Sequence, residues 1–300
     1  MSLPYKKTLS APCKLNLTLD VGPPRPDGYH SIDSVVALLS PSDELTVQVR
    51  PGPRTVKLIL KDRRPDAVAE PALPKGQENL AYSAAQAAID ALAPDQDIQV
   101  WITLAKRLPA QAGLGAGSSD AATVLQAVAE ALEAPAAALP PIAATLGSDV
   151  SLFLSGNACR MQGRGEQVTP LATPLPTFWG VLARPAIGVP TGPAYAALDA
   201  IPNRTPGTAT EPLLQALQAG ADALAIAPLL SNDFEAAVLP EFPEVAAAHH
   251  AVQEAGALRA LLCGSGSSVF GLARDRVHAL ELVKALAGKL AWVKLASTLA

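Results

Sequence analysis

Residues 107–120 read Arg-Leu-Pro-Ala-Gln-Ala-Gly-Leu-Gly-Ala-Gly-Ser-Ser-Asp, and no other stretch of the chain combines so many groups suited to holding an anion. Gly113, Gly115 and Gly117 permit positive φ and close approach of a ligand, so that successive backbone N–H groups can converge on anionic oxygens. Ser118 and Ser119 add hydroxyls. Ala121, Val124, Leu125, Val128 and Leu132 follow at helical spacing, so a helix N-terminus would turn its unpaired donors and dipole toward the same point. Together these are the parts of a phosphate cradle; a flexible turn with an ordinary serine cap is the simpler alternative. Spacing excludes three other loops. A Walker A needs Gly-Lys-Ser/Thr at its end and no Lys follows these glycines, a dinucleotide fingerprint needs Gly where Ser118 stands, and a nucleophile elbow needs glycines two before and two after one serine.

The cradle needs a strand before it and a helix after it. Ile98, Val100, Ile102 and Leu104 recur at period two, as in a strand buried on one face. Upstream, strands are predicted over 14–19, 34–39, 44–50 and 56–60, with a dense turn signal at 23–28, a polar loop within 51–76 and an alanine-rich helix over 79–91. Downstream, a helix over 136–146 should end at Gly147, with Asp149 emerging just past it, and 162–177 reads as the crossing to a second domain. Helices near 192–199, 211–224, 232–238, 243–256 and 275–288 then alternate with strands near 179–183, 258–263, 268–273 and 291–295. The order is not a regular βαβ repeat, and the expected class is α+β, with one domain over 1–160 and another over 161–300.

The 300 residues are 49% hydrophobic and 17% charged, with 23 Lys+Arg against 27 Asp+Glu for a net charge of -4, so no basic field is available for a polyanion and nucleic acid is not the expected partner. The apolar content is largely alanine, interrupted by prolines and charges, and predicts no membrane span. The N-terminus lacks a signal-peptide core, and a cytoplasmic protein is expected. Cys13, Cys159 and Cys263 fit neither a disulfide framework nor a zinc site. His30, His249, His250 and His278 are too scattered for a metal cluster.

At the level of motifs, Pro109 through Ser119 resembles the ATP loop of the GHMP kinases, in a form one residue longer. Ala11-Pro-Cys-Lys-Leu-Asn-Leu followed by Arg25-Pro-Asp-Gly-Tyr-His is similar to the opening of the branch whose acceptor is a cytidine diphosphate conjugate of methylerythritol. Further matches in the family's order are Glu78-Asn-Leu, Leu146-Gly-Ser-Asp-Val, Gly163-Arg-Gly-Glu, Asn232-Asp-Phe-Glu and Gly264-Ser-Gly-Ser-Ser-Val-Phe. The resemblance implies a ribosomal-protein-S5-like ATP domain followed by a ferredoxin-like α/β sandwich. It implies ATP-dependent phosphorylation of the acceptor's 2-hydroxyl, on the non-mevalonate route to isoprenoids.

Carried over residue by residue, the resemblance makes Asp149 the catalytic carboxylate and Lys14 its partner. It makes Asn79, Lys106, Pro109, Ala110, Gln111, Ala112, Gly113, Leu114, Gly115, Ala116, Gly117, Ser118 and Ser119 the ATP contacts, with Mg²⁺ assisting through ligands that the sequence does not identify. Tyr29 and His30 would stack on and bond to cytosine, Tyr195 would supply a second ring, and Asn16 and Thr191 would meet the erythritol hydroxyls. Gly264, Ser265 and Gly266 would border the acceptor. One departure stands beside the aspartate, where Asp149-Val-Ser-Leu-Phe has Ser151 in place of the family's usual proline. A monomer or homodimer is expected. The alternatives are a GHMP kinase for another small acceptor, such as homoserine or mevalonate, and a catalytically silent nucleotide-binding protein on the same fold.

Overall fold

The period-two run at Ile98–Lys106 forms a strand that is one of seven making the body of the first sheet in the computed structural model, which describes residues 3–64 and 72–299. These are β1 (Tyr5–Asn16), β2 (Thr18–Pro24), β3 (His30–Pro51), β4 (Thr55–Asp62), β5 (Ile98–Lys106), β6 (Ala158–Gly163) and β7 (Gln167–Pro170). β3 is the hub, pairing antiparallel with β1, β2, β5 and β6, while β4 pairs parallel with β5. The second sheet has the order β10-β11-β8-β12, from β8 (Trp179–Arg184), β10 (Arg259–Leu262), β11 (Val269–Leu272) and β12 (Trp292–Ser297). The short β9 (Ser231–Asn232) pairs parallel with β2 and ties the later half of the chain to the first sheet.

The helices are α1 (Leu80–Leu92), α2 (Ala116–Ala131), α3 (Leu139–Leu146), α4 (Ser148–Leu152), α5 (Thr191–Asp199), α6 (Thr210–Gln218), α7 (Ala223–Ile226), α8 (Glu235–Glu241), α9 (Pro243–Glu254) and α10 (Arg276–Leu286). Alternate residues of β3 and β5, among them Val47, Val49, Val100 and Ile102, face a core filled by Ala84 and Ala88 of α1 and Val124 and Val128 of α2. A second core joins the two sheets, with Leu15 and Val35 packed with Leu182, Leu261 and Phe270. Full burial of each such leucine contributes roughly 1.5–3 kcal/mol, so this shared core holds the two layers in register around the site between them.

Several elements differ from the sequence reading for local reasons. The strands predicted over 34–39 and 44–50 are one 22-residue strand, because a bulge opposite Pro12 and Cys13 absorbs Ser40 and Pro41 without breaking it. The stretch 211–224 is two helices, α6 and α7, separated by Gly220 at φ +78°. Asp149 lies just past the end of α3, as expected, and after Gly147 closes that helix Ser148 and Asp149 open the short helix α4, which was not expected. Residues 158–170 form the β6–β7 hairpin of the first sheet, and the change of sheet falls between Pro170 and Trp179. Part of the polar loop predicted within 51–76, residues 65–71, lies outside the described residues. Cys13, Cys159 and Cys263 are free and buried. No helix among the described residues is long and apolar enough to cross a membrane.

Candidate active site

The glycine-rich loop leaves the end of β5 and enters α2 through Gly115 at φ +66°, with Gly113 at φ +73°. Gly113 packs so tightly that a Cβ there would fall onto the Cys263 carbonyl. Four of the bonds that hold the loop are accepted by its carbonyls. Arg184 Nη2 donates to Ala110 (3.1 Å), and the backbone N–H groups of Val189, Ser268 and Lys14 donate to Gln111 (3.3 Å), Ala112 (3.2 Å) and Leu114 (3.0 Å). The donors come from β1, from β8 and the segment after it, and from the turn between β10 and β11. The loop is thereby fixed from outside through its C=O groups.

This loop borders a cleft of ≈ 1130 Å³ between the two sheets. Lys14, Asn16, Tyr29, His30, Asn79, Lys106, Asp149, Thr191, Tyr195 and Gly264, Ser265 and Gly266 line the same cleft, together with 109–118 of the loop. Ser119 does not: it is buried in the first turn of α2, and its Oγ has no hydrogen-bond partner.

Lys14 is buried in β1, and its Nζ donates to Asn16 Oδ1 (2.5 Å), while Asn16 Nδ2 donates to Ser34 Oγ (2.8 Å). Burial holds the lysine's pKa below its ordinary value, and the Asp149 carboxylate opposes that shift. Asp149 is therefore near enough to act on Lys14 electrostatically, although the ammonium's hydrogen bond goes to Asn16. Asp149 itself is half-buried on α4, facing the cleft.

On the remaining wall, Thr191 Oγ1 and Ser265 Oγ lie 3.3 Å apart and join α5 to the late glycine turn. Tyr195 packs against His30 at 4.7 Å between ring centroids and meets Phe234 edge-on at 4.8 Å. His30 Nε2 donates to Asp199 Oδ1 (2.8 Å). Tyr29 is 58% exposed, with the Arg164 guanidinium 4.9 Å from its ring centre. The chain thus positions one ring of the expected pair firmly and leaves the other standing in solvent.

Two expected nucleotide contacts have their side chains engaged within the protein. Asn79 caps α1, accepting from Ala81 N (3.0 Å) and donating to Pro74 O (3.0 Å). Lys106 is gripped by two carboxylates, Asp43 Oδ2 at 2.5 Å and Asp120 Oδ2 at 2.6 Å, all three groups being buried. Asp43 also accepts the N–H groups of Arg107 and Leu108, fixing the start of the loop. Burial, joined by the neighbouring Asp43 carboxylate, raises Asp120 to about 7 against the pull of Lys106. Burial would lower Lys106, but Asp120 and Asp43 outweigh it and hold the ammonium above its ordinary value. One ammonium between two carboxylates leaves an excess negative charge, which a proton kept on Asp120 removes.

Sequence reasoning missed Asp43, Asp120, Arg184, Asp199 and Phe234. It also missed Asn232, whose Nδ2 donates to the carbonyls of Leu262 and Gly264 and so holds the late glycine turn. Asn232 and Phe234 sit inside a motif that was visible, and Asp120 directly follows the paired serines. Asp43, Arg184 and Asp199 carry no local signal. Among the described residues, no three His, Cys, Asp or Glu are placed to hold a metal ion, and Asp120, the carboxylate beneath the loop, is engaged by Lys106.

Two family models match the chain, "GHMP kinases N terminal domain" over residues 79–157 and "GHMP kinases C terminal" over 213–291. The chain is 39% identical over 284 residues to a 4-diphosphocytidyl-2-C-methyl-D-erythritol kinase of Cereibacter sphaeroides, covering 92% of each chain. It is 36% identical over 271 residues to the Pelobacter propionicus protein of the same name, covering 90% of each. A solved 4-(cytidine 5'-diphospho)-2C-methyl-D-erythritol kinase superposes with a TM-score of 0.80 at 34% identity, covering 98% of this chain and 100% of that one. Homoserine kinase from Cytophaga hutchinsonii, at 18% identity and a TM-score of 0.70, shares the fold.

Proposed function

This chain belongs to the GHMP kinases and, within them, to the 4-diphosphocytidyl-2-C-methyl-D-erythritol kinases, and from that premise we propose how its cleft carries out the reaction. The enzyme phosphorylates the 2-hydroxyl of 4-diphosphocytidyl-2-C-methyl-D-erythritol with ATP, in the isoprenoid pathway. Phosphoryl transfer asks a protein for positioning, for offset of developing charge and for a group to take the hydroxyl proton. In this reading Asp149 takes the proton of the 2-hydroxyl. Lys14, held toward the cleft by Asn16, supports the attacking oxygen and offsets the charge that builds on the transferred group. The loop 109–118 receives the phosphates of ATP on its N–H groups and on the N-terminus of α2. Bound with the ATP phosphates, Mg²⁺ would offset the charge that develops on them.

The acceptor lies along the opposite end of the cleft. His30 and Tyr29 take the cytosine with Tyr195 behind them, and Thr191, with Ser265 and the flanking Gly264 and Gly266, borders the erythritol. The observation that carries this reading is the convergence on one cleft of Lys14 from β1, Asp149 from α4, the loop before α2 and the Thr191–Ser265 pair. Domains divide the work accordingly, the first holding ATP and the second completing the acceptor side. Asp149→Asn keeps the shape and removes the base, so kcat is expected to fall by about 10²–10⁴ while ATP affinity, read by calorimetry, stays unchanged. Unaltered turnover would remove Asp149 from this role. A panel of acceptors adds the second check, because loss of the cytidine should weaken acceptor binding strongly; equal use of homoserine or mevalonate would overturn the assignment.

A further inference from the structure

β5 alternates between two sites. Leu104 and Lys106 line the cleft, whereas Thr103, Ala105 and Arg107 line a second pocket, of ≈ 580 Å³, on the other face of the sheet. β3 alternates in the same way, with Asp43 turned to Lys106 and Ser42, Glu44 and Thr46 turned to the second pocket. β4 and its end add Lys61 and Arg63, and β12 of the second sheet closes the space with Trp292 and Lys294.

Four basic side chains and one carboxylate meet here, in a protein whose net charge is -4. Glu44 is taken by Arg107 at 3.2 Å, while Lys61, Arg63 and Lys294 form no ion pair among the described residues. Ser42, Thr46 and Thr103 supply hydroxyls between them. Trp292 is buried in the same wall, with its indole Nε1 shut off from the pocket. Three exposed cations with no ion-pair partner among the described residues, and hydroxyl donors beside them in a concave space, suit a compact polyanion.

We propose that this second pocket is an anion site that takes a phosphorylated small molecule through a diphosphate group. A diphosphate matches these three cations in charge and offers acceptors to the hydroxyls. The site is separate from the cleft and does not rest on the reaction assigned to it.

Inorganic pyrophosphate is the probe. Trp101→Phe with Trp179→Phe leaves Trp292 as the chain's one tryptophan, whose fluorescence is then titrated in the presence of excess ADP, with calorimetry on the unmodified protein as the second measurement. A saturable change that persists with ADP present is expected, weakened by added salt. The triple variant Lys61→Ala, Arg63→Ala, Lys294→Ala should lose about tenfold or more in pyrophosphate affinity, with kcat unchanged. Orthophosphate should bind about tenfold more weakly. Failure to saturate by either method, complete displacement by ADP, or undiminished affinity in the triple variant would overturn the site, and equal affinity for orthophosphate would overturn the diphosphate assignment.

Discussion

The loop 109–119 and the wall of Tyr29, Thr191 and Tyr195 border one cleft and are built on opposite plans. The loop is tied by four external donors, sits on a buried ion cluster and has glycine where a Cβ cannot fit. The other wall relies on side chains, some packed and some free: Tyr195 lies between His30 and Phe234, while Tyr29 and Thr191 are exposed. A site that always binds the same phosphate chain gains from being rigid before the ligand arrives. A site that closes on a base and a polyol can leave part of its ordering to binding, at some cost in affinity.

This contrast is broken most directly at Gly113. Gly113→Ala drives a methyl into the Cys263 carbonyl and forces a side chain onto φ +73°, so about 3 kcal/mol of stability is expected to be lost, together with ATP affinity. Thermal unfolding and nucleotide titration check it, and an unaltered Tm would mean that the loop is looser than described.

Asp120→Asn addresses the cluster beneath the loop. Folded Asp120 keeps its proton up to about pH 7, whereas the ordinary carboxylate releases it at 3.8. Between those values the folded chain binds more protons than the unfolded one, so this group's contribution to stability is full below 3.8 and is lost as pH rises toward about 7. The variant should flatten that part of the pH–stability curve, read by denaturant unfolding at several pH values. An unchanged slope would place the proton elsewhere.

On the other wall, Tyr29→Ala should weaken acceptor binding by about 1–3 kcal/mol, with ATP binding and Tm left alone. Thr191→Ala should have the smallest effect, about 0.5–1.5 kcal/mol in acceptor binding, since it removes one hydroxyl from an exposed pair. If either change lowered Tm as much as Gly113→Ala, the two walls would not differ in the way described here.

The same contrast explains what was legible in the sequence. The loop and α2 could be read locally, because glycine spacing and apolar period are properties of adjacent residues. Lys106 was also visible, whereas its engagement with Asp43 depends on a partner 63 residues away. The Asp199–His30 pair spans 169 residues, and no pattern along the chain announces it. The strands predicted over 34–39 and 44–50 are joined by a bulge at Ser40 and Pro41 that depends on how β1 pairs, which is settled only in three dimensions. Asp149 was given its role by resemblance, and its place just past the end of α3 was legible from Gly147, while the short helix α4 that it helps to open was not.

Anchoring the loop through its carbonyls has a consequence for selectivity. Peptide N–H groups recognise charge and spacing on a phosphate chain, and the same chain hangs from every nucleobase. The loop by itself is therefore indifferent between adenine and guanine. Discrimination between them must be made farther along the cleft, where Leu73, Pro74 and Leu80 form the wall, and a change of nucleotide preference is to be sought there with the cradle left intact.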